Sequence, residues 1–131
     1  MIFLDTSAIY ALADSRDLSH HDAIQRLQGI LGRGEELLTH NYVVLESVSL
    51  LQARLGLSAA SKFAKESTAF VIEWVDEELH ASGIRALEKS GKRSISLVDH
   101  ISFLVMKRRS VTTAFAFDPD FKAEGFGLFE L

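Results

Sequence analysis

The sequence predicts an α/β protein, with a central, mainly parallel sheet covered by helices on both faces in a three-layer α/β/α sandwich. Two observations point there. Short apolar runs of strand character alternate with longer stretches of helical period, the pattern of parallel strands joined by helical crossovers. Two of those runs, MIFLD and TTAFAFD, also end on a carboxylate, and ligands of such sheets sit beyond the carboxyl ends of the strands. The length of 131 residues fits one domain spanning 1–131, with no linker, repeat or low-complexity segment.

The elements follow in order. IFLD is the first strand, and TSAIYALAD reads as a helix entered through Thr6 and Ser7. The next helix covers 19–31. Ser19 is its N-cap, Ala23, Ile24, Leu27 and Leu31 set the period, and Gly32 or Gly34 ends it. ELLTH (36–40) is a short strand. Asn41 precedes the helix YVVLESVSLLQARLG, closed by Gly56. Ser58 caps a helix reaching Ser67, and AFVIEWV (69–75) is a strand. DEELHASGIRALEKSG is helical despite Gly83 and stops at Gly91, and SISLVDHISFLVMKRR is a further helix. TTAFAF (112–117) and FGLFEL are the last strands.

Composition removes several classes. At 47% hydrophobic and 24% charged, the chain resembles folded rather than disordered proteins. No apolar run approaches the roughly 18–20 residues that span a bilayer, and the N-terminus has no signal-peptide pattern, so a soluble, cytoplasmic protein with no membrane partner is expected. With no cysteine there is no disulfide, thiolate ligand or cysteine nucleophile. The five histidines lack a paired zinc spacing, and neither a P-loop nor a dinucleotide fingerprint is present. A net charge of −4 argues against a general electrostatic grip on nucleic acid, unless acids are gathered around a cation.

Four acids stand in unusual places. Asp5 ends an apolar strand, where a buried carboxylate is costly unless it is paired, hydrogen-bonded or bound to a metal. Glu46 falls at helical spacing from Tyr42, Val43 and Leu50, on or near an apolar face. Asp99 lies three residues after Ser96, a capping-box spacing compatible with facing a site. Asp118 repeats the Asp5 pattern, with Asp120 beyond Pro119. Each has a plain structural reading: a helix cap for Asp5 and Asp99, an exposed side chain for Glu46, an Asp-Pro turn for Asp118. Converging at one sheet edge, however, they would repel one another unless a cation sat among them. Oxygen donors without cysteine favour Mg²⁺ or Mn²⁺ over zinc, and such a centre suits phosphodiester hydrolysis.

FLDTSAIYAL, THNYVVLESVSLL, SLVDHISFLVMKRR and AFAFDPDF…GF, in this order, resemble the four acidic motifs of PIN-domain ribonucleases, nearest in appearance to the VapC-like toxins of toxin–antitoxin pairs. The resemblance runs from Ile2 to Phe126. It implies a PIN-like sandwich, Mg²⁺- or Mn²⁺-dependent cleavage of RNA, a homodimer, and inhibition by a small antitoxin protein. Carried over motif by motif, Asp5, Glu46, Asp99 and Asp118 are the catalytic, metal-binding acids. Thr6 matches the family's hydroxyl after the first acid, with Asp120 as a supporting acid and Asn41 either a supporting residue or a helix cap. Lys107, Arg108 and Arg109 are expected to guide the RNA backbone.

Two other classes compete. A non-catalytic PIN-like binding module would keep the fold without divalent binding. An aspartyl-phosphate protein, a receiver or a phosphatase, is disfavoured because a phosphatase needs a second acid two residues after the first and position 7 is Ser.

Overall fold

The computed structural model describes residues 1–131. Five strands form one sheet: β1 (Ile2–Leu4), β2 (Leu37–His40), β3 (Val71–Glu73), β4 (Thr113–Phe115) and β5 (Gly127–Leu128). Every pairing is parallel and the order is β3-β2-β1-β4-β5. Seven helices complete a three-layer α/β/α fold: α1 (Thr6–Ala13), α2 (His20–Gly32), α3 (Asn41–Leu55), α4 (Leu57–Glu66), α5 (Glu77–Ser90), α6 (Leu97–Arg108) and α7 (Asp120–Ala123).

The central strands β1 and β2 are buried at every position, which is why Ile2, Phe3 and Leu4 read as an unbroken apolar run. Edge strand β3 is only half-buried and covers three residues of the seven expected, leaving Trp74 67% exposed beyond its end. Phe3, Leu4, Leu38 and Phe115 from the sheet meet Val43, Leu51, Ile101, Met106 and Phe121 from the helices in one core. Gly83, a poor helix former, suits the packing here: a Cβ would lie 2.4 Å from Ile101 Cδ1 and force that side chain to shift where α5 meets α6.

Chain topology then locates the functional edge. From central β1 the chain builds outward through β2 and β3, then crosses to the opposite side of β1 for β4 and β5. The strand order therefore reverses between β1 and β4, the switch point where sheets of this kind form a ligand crevice beyond the carboxyl ends of the strands. Leu4 pairs in register with Phe115, and Asp5 N–H donates to the Phe115 carbonyl at 3.1 Å.

Several local expectations are corrected. Asn41 does not cap α3. His40 does, its Nδ1 accepting from Val43 N–H, while Asn41 Oδ1 accepts from Val75 N–H at 2.6 Å and ties α3 to the segment after β3. Ser58 lies inside α4, which follows α3 directly across Gly56 at φ +98. Ser19 occupies the N-cap of α2 but makes no side-chain cap bond. The short helix α7 was not anticipated between the last two strands.

Candidate metal centre

Asp5 is 5% exposed, and its Oδ2 accepts from both the backbone N–H (3.1 Å) and the hydroxyl (2.6 Å) of Ser7, capping α1. The same Ser7 Oγ accepts from Phe117 N–H at 2.9 Å, fastening the end of β1 to the segment that carries Asp118. Asp5 Oδ1 has no partner in the protein. Asp99 sits in the first turn of α6 in a complete capping box, giving Oδ2 to Ser96 N–H at 3.0 Å while Ser96 Oγ accepts from Asp99 N–H. Asp118 Oδ1 accepts from Asp120 N–H at 2.9 Å, the turn its Asp-Pro-Asp sequence favours.

One pattern is common to these three aspartates: each fixes one oxygen on a nearby hydrogen-bond donor of the chain and leaves the other free. Carboxyl oxygens of Asp99, Asp118 and Asp120 all lie within 4.8 Å of one another. Asp5 stands outside that triplet, yet its charge couples to Asp99 and Asp118. Burial, opposed by the Ser7 bonds and assisted by the charges of Asp99 and Asp118, pushes the Asp5 carboxyl up to about 6. Asp99 is also raised, chiefly by burial, and Asp120 is raised by desolvation and then by the neighbouring charges of Asp118 and Asp99. No lysine or arginine forms an ion pair with any of the four. Crowded carboxylates with free oxygens and no paired cation are the donor set that a hard divalent ion fits.

Other expected residues are placed differently. Glu46 is exposed, because the buried line of α3 runs through Val43, Ser47 and Leu51 and leaves Glu46 and Leu45 facing outward. α3 is apolar around most of its circumference, so apolar neighbours in the sequence did not identify its inner face. Thr6 makes no side-chain hydrogen bond to Asp5. Its Oγ1 accepts from the Ser47 hydroxyl at 3.2 Å, joining α1 to α3, and Ser7 is the hydroxyl that orients the first acid. Lys107, Arg108 and Arg109 are exposed at the opposite end of α6 from Asp99, about 12 Å or more along the axis, and Arg109 is paired with Glu73 at 3.0 Å.

His40 is a residue that sequence reasoning missed. It is fully buried, and burial depresses its pKa to about 3, so the ring is neutral. With Nδ1 accepting from Val43, Nε2–H donates to Ser102 Oγ at 2.8 Å, and Ser102 donates to the Val98 carbonyl at 3.0 Å. The start of Glu46's helix is thereby bound to the turn that carries Asp99. The available signal was a polar residue, His40, ending an apolar strand, the same pattern that singled out Asp5.

The chain matches the PIN domain over residues 2–126 and belongs to that family. Among its relatives, it is 37% identical over 128 residues to the 23S rRNA-specific endonuclease VapC20 of Mycobacterium tuberculosis, in strains CDC 1551 / Oshkosh and H37Rv, covering 96% of this chain and 95% of that protein. The crystal structure of M. tuberculosis VapC20, described as a Sarcin-Ricin loop cleaving toxin, superimposes with a TM-score of 0.85 at 33% identity, over 96% of each chain. No helix of the structure is long and apolar enough to cross a membrane.

Proposed function

We propose that this chain is a divalent-metal-dependent endoribonuclease, the toxin of a toxin–antitoxin pair, with 23S rRNA at a sarcin–ricin-type loop as its substrate. The observation that carries the reading is the convergence of Asp5, Asp99, Asp118 and Asp120 on the β1/β4 crevice with unengaged oxygens and no paired cation. The likeness to VapC20 over nearly the whole chain supports the substrate.

Asp5, Asp99 and Asp118 would hold the ion, Mg²⁺ or Mn²⁺, and Asp120 would add a donor from the same cluster. When bound, the ion supplies Lewis acidity at the phosphoryl oxygen and lowers the pKa of an adjacent water. Ser7 and Ser96 keep the acids aimed inward, as hydrogen bonds behind metal ligands do. Glu46, exposed on α3, would orient the attacking water or hold a second ion. Water attacks phosphorus in line, the P–O3′ bond breaks, and the 3′ oxygen takes a proton, leaving a 5′-phosphate and a 3′-hydroxyl. The active form is a homodimer in the cytoplasm, restrained by a small antitoxin protein.

Incubating the protein with ribosomes and with naked total RNA, with and without Mn²⁺, and mapping the new 5′ ends tests this. A single Mn²⁺-dependent cut in 23S rRNA, absent with Asp118→Asn, is expected. No cleavage, together with no heat of Mn²⁺ binding that depends on Asp5, would leave a non-catalytic binding module instead.

A further inference from the structure

We propose that Lys92 and Arg93, in the loop joining α5 to α6, form the phosphate-binding rim of the acidic crevice and grip the RNA backbone beside the scissile bond. This rests on the nuclease reading above and adds the residues by which a chain of net charge −4 holds a polyanion. An RNA strand brought to four carboxylates is repelled unless positive charge stands close by.

The loop is built to hold its cations in place. Gly91 ends α5 in the left-handed region, at φ +61. The Lys92 carbonyl accepts from Ile95 N–H at 3.3 Å, and Ile95, 4% exposed, is sunk into the core. The next residue, Ser96, donates its N–H to Asp99 Oδ2. Lys92 is therefore three links from a carboxylate of the cluster: a backbone bond to Ile95, the peptide bond to Ser96, and the capping bond to Asp99. Both Lys92 and Arg93 are exposed, and neither forms an ion pair, whereas Arg109 is occupied by Glu73 and Arg26 by Asp22. Lys92 also stands close enough for its charge to lower the Asp120 carboxyl slightly against the larger rise from desolvation and the neighbouring acids. Density of basic residues singled out the end of α6. The fold instead sets the loop that carries Lys92 and Arg93 immediately before the turn that holds Asp99.

Phosphate contacts add affinity that falls with salt, with a slope in log K of about 0.7 per contact for single strands. The test measures cleavage of a 23S rRNA stem–loop fragment with Mn²⁺ across a KCl series, for wild type, K92Q/R93Q and K107Q/R108Q. The loop variant is expected to raise KM on the order of tenfold, leave kcat at saturating RNA unchanged, and flatten the salt slope by about one or more. K92R/R93K should restore the slope, and K107Q/R108Q should behave as wild type. A wild-type salt slope and KM in K92Q/R93Q would overturn the rim while leaving the nuclease reading intact. So would a loss confined to kcat, which would mean that the loop only steadies Asp99. A wild-type protein that cleaves no RNA would overturn both.

Discussion

Strands β1 and β2 lie side by side and each ends on a polar residue that caps the helix after it, Asp5 for α1 and His40 for α3. Both are buried, and in both burial disfavours the charged form, moving Asp5 up to about 6 and His40 down to about 3. Their partners differ. His40 engages both ring nitrogens and is neutral at physiological pH, so nothing about it is left incomplete. Asp5 engages one oxygen and has two acidic neighbours, so its ionised state calls for something the polypeptide does not supply. Two similar caps have thus become a scaffold and a site, and what separates them is an unused valence.

Exchanging each residue breaks the comparison from both sides. Asp5→Asn retains an oxygen for Ser7 but removes the charge. Cleavage of the 23S rRNA fragment is expected to fall on the order of a hundredfold or more, with the circular dichroism of the native protein retained. His40→Ala removes a cap, a bond to Ser102 and core volume together. Urea denaturation should show a loss of about 3 kcal/mol. Wild-type turnover in Asp5→Asn, or an unaltered urea midpoint in His40→Ala, would erase the distinction.

Acidity sharpens it further. Between about 3.8 and 6 the native, metal-free protein binds the Asp5 proton and the unfolded chain does not, so this residue's contribution to stability declines as pH rises through that window. His40 works the other way: the unfolded ring takes up a proton below about 6.5 and the native ring does not until about 3, so stability is lost as pH falls. In the overlap the two slopes oppose one another. Asp5→Asn should therefore be more stable than wild type at pH 7.5 by up to about 3 kcal/mol, with the advantage gone near pH 4. Urea melts of both proteins at the two pH values, in EDTA, give the difference. An advantage independent of pH would mean that Asp5 is not held as described.

The smallest effect expected belongs to Ser7→Ala, which leaves every acid in place but removes the hydroxyl between Asp5 and Phe117. About a tenfold loss of Mn²⁺ affinity by titration calorimetry is expected, in line with the cost of removing a group that orients a metal ligand.

Much of this was readable beforehand because it is local. The apolar run into Asp5, the Ser96-to-Asp99 spacing and the Asp-Pro-Asp turn each specify geometry within a few residues, and the structure realises all three. The strand–helix alternation likewise yielded the parallel sheet. What escaped depends on how distant segments rotate against each other. The inner face of α3 runs through Val43, Ser47 and Leu51, with His40 and Ser47 bonded to Ser102 and Thr6 on other helices, so the apolar period of α3 by itself did not decide between the two readings of Glu46. Nor could the richness of MKRR in positive charge reveal that it closes α6 at the end away from Asp99, while the loop carrying GKR leads straight into the capping turn of that acid.

The Ser7–Phe117 bond joins positions 110 residues apart, and β4 must slot beside β1 before it can form. Assembly of the acidic centre consequently depends on a contact of long sequence separation, which carries a loop-closure cost that the local caps do not. A chain still short of Asp118 carries Asp5 and Asp99 without the other two carboxylates of the cluster, so no part of the sequence before β4 can complete the centre.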